Sequence, residues 1–237
     1  MLGLGTSLST ATSVGSWNPS RLSNLIIWFR FNHGIELDGD GDVTKWTNQH
    51  TMSRTHGDVH VEQDGGATTS PILNADGSVE FDAASNFLRF KDGGSNTTIE
   101  LGTFAIYFRI KWGESETLNA EDLVEKDSNN FFKVVSPTAT RAKLQGTRHD
   151  WTHSEINEGD KTTIGFERNG EGVLSSYFNG VAGSPDSGEG TQTVDDTLDF
   201  IQFGKPTHHS YWYTVVVCNA ALSVADRALL NSYLDTI

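Results

Sequence analysis

The sequence predicts an all-β domain: an antiparallel two-sheet sandwich with one short C-terminal helix. Three observations carry this. Short runs rich in β-branched and aromatic residues recur along the chain, with Gly, Asn, Asp or Pro between most of them. One run, Thr103 to Trp112, alternates strictly, with Phe104, Ile106, Phe108, Ile110 and Trp112 on one face and Tyr107, Arg109 and Lys111 on the other. That is the period of a half-buried antiparallel strand. Helical periodicity is confined to the C-terminus.

Met1 to Ser16 is almost entirely Gly, Ser, Thr and small apolar residues without periodicity, so it reads as a flexible arm outside a domain of residues 17–237. Leu2, Leu4, Leu8 and Val14 give this arm apolar anchors for a neighbouring surface, where it would order on contact. A frayed terminus is the alternative. Asn24 to Phe31 is a dense apolar run closed by Asn32-His33-Gly34, as a buried strand and its turn would be. Further strands are expected at Val43–Trp46, Ser78–Phe81, Phe87–Phe90, Leu123–Lys126, Phe131–Val135, Thr162–Glu167, Leu174–Phe178, Leu198–Phe203 and Tyr211–Cys218. Asn179-Gly180 tolerates the positive φ angles of a type I′ turn and predicts a tight hairpin. Gly183 to Gly190 is the most loop-like internal stretch. In the helix, Ser223 is the cap with Asp226 three residues on, and Leu222, Ala225, Leu229, Leu230, Tyr233 and Leu234 form the apolar stripe.

Of 237 residues, 31 are acidic and 17 basic, a formal charge of −14, and no basic face offers itself to nucleic acid. The 36% hydrophobic content argues against a disordered acidic chain. The single Cys218 excludes an intrachain disulfide, and its apolar surroundings predict a buried, unreactive thiol. No segment approaches the roughly 20 apolar residues of a membrane span, and residues 1–16 lack the pattern of a signal peptide. Synthesis and folding in a reducing cytosol are therefore expected.

Four segments, taken in order, carry a likeness to a known family. The first is Leu25-Ile26-Ile27-Trp28-Phe29-Arg30 with Gly34-Ile35 and Val43-Thr44-Lys45-Trp46-Thr47-Asn48-Gln49. The second is Val79-Glu80-Phe81-Asp82 with Asn86-Phe87-Leu88, and the third is Tyr177-Phe178-Asn179-Gly180-Val181. The fourth runs from Phe203-Gly204 through Tyr213-Thr214-Val215-Val216-Val217 and Asn219-Ala220-Ala221-Leu222-Ser223 to Ala225-Asp226-Arg227. Together they resemble the concanavalin A-like lectin/glucanase superfamily, in particular its laminin-G-like jelly-roll modules of bacterial and bacteriophage surface proteins. The chain departs from that pattern at Asn48-Gln49-His50-Thr51, where the family carries an Asp-x-Ser-Gly-Asn-Gly turn. The opening Met1-Leu2-Gly3-Leu4-Gly5 is similar to tailed-phage, especially cyanophage, structural proteins.

The resemblance implies a concanavalin A-like jelly roll and, as the leading reading, a non-enzymatic virion component: a capsid decoration or tail-associated module. Its location would be the virion after synthesis in host cytoplasm, and its partners other virion proteins or copies of itself. The alternative is a soluble carbohydrate-binding lectin, calcium-dependent or not, recognising a cell-surface glycan. A glycoside hydrolase is the third reading. The superfamily's glycanases use Glu-x-Asp-x-x-Glu, which sets two carboxyl groups about 5–5.5 Å apart for retaining hydrolysis. Glu155-Ile156-Asn157-Glu158 is the nearest approach and lacks the middle Asp and the spacing.

Two clusters are candidate sites. Asp38-Gly39-Asp40-Gly41-Asp42 places Asp38, Asp40 and Asp42 where a tight loop can turn several oxygens to one calcium ion; a plain acidic turn is the alternative. Trp151 beside His149, and Trp212 beside Tyr211 and His209, combine rings with hydrogen-bonding groups suited to a sugar or protein partner; packing under a loop is the alternative. Trp28, Trp46 and Trp112 lie in strand patterns and read as core. The histidine pairs four apart, such as His56 and His60, would sit roughly 13 Å apart on an extended strand, too far to share a zinc ion.

Overall fold

The structure, a computed structural model, describes residues 17–50, 59–63, 70–82, 86–113, 121–157, 159–186, 197–204 and 209–237. The arm residues Leu2, Leu4, Leu8 and Val14, together with His56 and Glu158, lie outside the described residues.

Two antiparallel sheets face each other in a jelly-roll sandwich. Counted among the described residues, the first has eleven strands. In hydrogen-bonding order they are β18 (Ser184–Pro185), β14 (Thr147–Thr152), β13 (Ala139–Leu144), β12 (Asn130–Ser136), β11 (Glu121–Asp127), β20 (Gln202–Gly204), β7 (Phe87–Asp92), β4 (His60–Gln63), β3 (Val43–Thr47) and β2 (Ile35–Leu37), with β8 (Ser95–Asn96) paired to β7. The second has eight. These run β17 (Val181–Ala182), β16 (Leu174–Phe178), β15 (Lys161–Arg168), β10 (Phe104–Trp112), β21 (Ser210–Cys218), β6 (Val79–Phe81) and β5 (Ile72–Leu73), with β1 (Leu25–Phe29) also on β21. A separate ribbon pairs β9 (Ile99–Leu101) with β19 (Leu198–Phe200). The helix α1 spans Val224–Leu234.

The alternation of β10 is realised as the pattern demands. Phe104, Ile106, Phe108, Ile110 and Trp112 enter the core between the sheets. Its other face is not solvated: Ala105 and Tyr107 join Val216 and Cys218 of β21 in a second core beneath α1, with Leu25, Trp28, Leu230 and Leu234. A strand covered on both faces needs apolar residues at successive positions, which is why Tyr213 to Cys218 reads as a continuous run. Burial also pushes the Cys218 thiol well above its ordinary pKa, so it stays protonated.

Strand β21 divides one of its edges between two partners. β6 pairs with Ser210–Trp212 and β1 with Val215–Cys218. Between them Thr214 Oγ1 donates to Phe29 O (2.9 Å) and accepts from Phe31 N–H (3.3 Å), covering the gap in the ladder. Asn179 and Gly180 adopt φ of 47° and 78° and turn β16 into β17, as their sequence predicts.

Some elements differ from expectation. Leu198–Phe203 is not one strand: it breaks at Ile201, whose N–H donates to Glu125 O at 3.0 Å, and its halves join different sheets. β13 and β14 escaped the periodicity because their inward positions include small or polar residues, Thr140, Ala142 and His149, which blur the contrast with the charged outward ones. The helix begins at Ser223 as expected, with Ser223 Oγ accepting from Asp226 N–H (3.1 Å). Its apolar stripe is narrower, for Leu229 is 45% exposed.

Candidate functional site

Three of the five residues expected to meet a ligand are core. On β14 the register pairs Trp151 with Thr140 and His149 with Ala142, and these small partners leave room for both rings inside the sandwich. Trp151 and His149 stack 6.2 Å apart, and Trp151 meets Phe166 edge-on. Trp212 is 1% exposed, with Phe81 and Phe108 against its ring, and its indole N–H donates to Ser210 Oγ at 2.9 Å. Tyr211 and His209 do reach the outside, where Lys111 lies 5.7 Å from the Tyr211 ring and His209 Nδ1 is 3.1 Å from Glu80. The expected clusters are therefore split between the interior and the surface.

The acidic loop also departs from expectation. Asp38 Oδ1 accepts the backbone N–H groups of Asp40 (2.9 Å) and Asp42 (3.0 Å), and its own N–H donates to Asp42 O. Asp38 Oδ1 thus caps the turn, as the plain acidic turn that the sequence also offers would have it. No group of three or more His, Cys, Asp or Glu side chains arranged to hold a metal ion is found among the described residues.

A groove of about 660 Å³ lies instead where α1 meets the start of the domain. Trp17 enters just before a single 3-10 turn, Pro19–Arg21, whose cap is Asn18. Trp28 stands on β1, Arg30 follows directly after it, and Tyr233 comes from the last turn of α1. Gln49 is brought alongside by two backbone ties: its N–H donates to Trp28 O (2.7 Å), and the Trp28 N–H donates to Asn48 Oδ1 (2.8 Å). Asn48 Nδ2 in turn donates to Ile26 O. The turn at which the sequence leaves the family pattern is thus the one that binds Gln49 to the groove wall.

The groove combines ring faces with donors. Trp17 and Trp28 each meet Tyr233 edge-on, with centroids 6.1 Å and 6.2 Å apart. The Arg30 guanidinium lies 5.5 Å from the centroid of the Trp28 ring. Burial pushes the Tyr233 phenol pKa up while Arg30 draws it back, which keeps the hydroxyl protonated as a donor. Among the described residues no carboxylate side chain lines the groove. Rings of this kind cover apolar sugar faces, and the polar tips beside them accept or donate to hydroxyls. Sequence reasoning missed the site because Trp17, Trp28 and Tyr233 come from three separate segments; Tyr233 reads as helix stripe, and Trp28, read as core, is core and groove wall at once.

No family model matches the chain, and no curated protein matches it in sequence. Solved structures do match its fold. A structure of botulinum neurotoxin type C, whose cell entry depends on interaction with two ganglioside molecules, aligns with TM-score 0.55 and 13% identity, over 89% of this chain and 51% of that one. Trypanosoma rangeli sialidase in complex with sialic acid aligns with TM-score 0.56 and 11% identity, over 90% of this chain and 33% of that one. The binding domain of Paraclostridial Mosquitocidal Protein 1 aligns with TM-score 0.55 and 15% identity, over 89% and 52%. The chain spans about half or a third of these proteins, and at such identities the likeness is one of fold.

Proposed function

We propose that this chain is a lectin-like module that binds a glycan in the groove between α1 and β1 and performs no chemistry on it. The observation that carries this reading is the meeting of Trp17, Trp28 and Tyr233 with Arg30, Asn18 and Gln49 in one open groove. The fold neighbours add support by analogy, since one interacts with gangliosides and another forms a complex with sialic acid. Among the described residues, hydrolysis by two carboxyl groups finds no counterpart in the groove, whose lining contains neither Asp nor Glu. On a glycan array the full chain should bind a restricted set of glycans, and Trp17→Ala should lose them. Absence of binding above background, or binding unaffected by Trp17→Ala, would overturn the reading.

Where the module is displayed is a separate proposal. A virion surface, capsid or tail, with other virion proteins or copies of this chain as partners, rests on the sequence resemblance alone. Mass spectrometry of purified particles tests it, and absence of the chain from them would remove it.

A further inference from the structure

We propose that the groove selects carboxylated sugars, such as sialic or uronic acids, with Arg30 as the residue that pairs their carboxylate; this rests on the groove being the glycan site. The argument begins with charge. The chain carries 31 acidic residues against 17 basic ones, yet among the described residues no acidic side chain lines this groove, and Arg30 is the sole cation there. Four other guanidinium groups are neutralised: Arg109 faces Asp235 at 3.2 Å, Arg141 and Arg148 share Asp150, and Arg227 holds Glu167. Arg30 is exposed and makes no ion pair among the described residues; it contacts the Trp28 ring and the Tyr233 hydroxyl.

A guanidinium lying over an aromatic ring is held there by the ring's negative face and, beyond its bond to the Tyr233 hydroxyl, keeps N–H donors that can meet a carboxylate. One cation balances one carboxylate. A phosphate ester, carrying up to two negative charges, would leave excess charge uncompensated on a body whose net charge is −14. A second donor points the same way. The Trp28 indole N–H is buried and has no partner among the described residues, on a side chain that lines the groove. An unpaired buried donor is costly, and a sugar hydroxyl or carboxylate oxygen brought to that wall relieves it. Trp17, half-buried and edge-on to Tyr233, supplies the apolar surface on which a pyranose ring can lie.

The test uses the full chain and two matched pairs of probes: sialyllactose with lactose, and tetragalacturonate with its carboxyl-reduced counterpart. Affinities are measured by titration calorimetry, with tryptophan fluorescence in parallel. In at least one pair the acidic sugar should bind at least tenfold more tightly than its neutral partner. Arg30→Gln should shrink that preference to within twofold, and Trp17→Ala should weaken both members. The comparison of the paired sugars on the unaltered chain does not depend on any variant folding. Equal affinity within both pairs, or a preference that survives Arg30→Gln, would overturn the assignment of Arg30 while a loss on Trp17→Ala still upholds the groove. Failure to bind any of the four probes would overturn the carboxylate proposal; a glycan array devoid of binding would remove the groove reading as well.

Discussion

Arg227 on the first turn of α1 holds the Glu167 carboxylate of β15 through two hydrogen bonds, Nε to Oε1 at 2.9 Å and Nη2 to Oε2 at 2.7 Å. Tyr107 donates a third to Oε1 at 2.5 Å, and the Arg227 guanidinium also lies 4.4 Å from the Tyr177 ring centroid. Glu167 is 3% exposed, so its charge depends on these partners. The pair fixes the helix that carries Tyr233 to the groove. Arg227→Ala should destabilise the fold by about 3 kcal/mol, because breaking a buried pair strands a desolvated charge. Urea unfolding measures this. The double variant Glu167→Gln/Arg227→Met should recover part of the loss; if it is as unstable as Arg227→Ala, a stranded charge is not the cause.

Gly165 is required by the ring opposite it. It pairs across the ladder with Tyr107, and a Cβ added at Gly165 would lie 2.4 Å from Tyr107 Cε1. Gly165→Ala must displace that ring and its bond to Glu167, at a cost of about 2 kcal/mol, typical of overpacking. Tyr107→Phe keeps the ring and loses only the hydroxyl, for about 1 kcal/mol. Equal denaturation midpoints for Gly165→Ala and the unaltered chain would refute the steric account.

His153 makes stability depend on pH. Its ring stacks on Phe178 at 3.9 Å, contacts Thr140 Oγ1 at 2.9 Å and covers Gly183 so closely that a Cβ there would collide with it. Burial lowers its pKa from 6.5 to about 4. The unfolded chain therefore takes up a proton first as pH falls, and the contribution of neutral His153 to stability, complete above pH 6.5, is lost progressively down to about pH 4. His153→Phe should flatten the pH dependence of the urea midpoint across this window. An unchanged slope would show that other groups set it.

Calcium should leave the melting temperature unchanged, since the described residues present no group of three or more His, Cys, Asp or Glu side chains arranged to hold a metal ion. An ion that binds only the folded state raises that temperature by mass action. A rise at saturating calcium, abolished by Asp40→Asn, would reinstate the metal site.

Removal of residues 1–16 should leave the melting temperature unchanged, because Trp17 and its edge contact with Tyr233 are retained. Analytical ultracentrifugation of the shortened chain tests whether Leu2, Leu4, Leu8 and Val14 serve assembly, as the sequence suggests. Loss of folding would place the arm within the domain.

Features set by neighbouring residues were legible without coordinates. The alternation of Phe104 to Trp112, the turn at Asn179-Gly180, the helix start at Ser223 and the burial of Cys218 each follow from local period, allowed φ or capping chemistry. The third layer was only partly legible: the helix stripe implied a partner, but not that Tyr107 and Glu167 would be buried beneath it.

The site followed the opposite rule. Trp151 and Trp212 sit among polar neighbours in sequence and are core; Trp17 adjoins the featureless arm and lines the groove. The direction in which a ring points depends on strand register, and one residue of slip exchanges the two faces of a sheet. Register is settled by partners far along the chain, as Thr140 opposite Trp151 shows, and the groove needs Trp17, Trp28 and Tyr233 brought together from both ends. Local chemistry sufficed for the kind of element formed, whereas long-range pairing alone assigned each aromatic ring to the interior or to solvent.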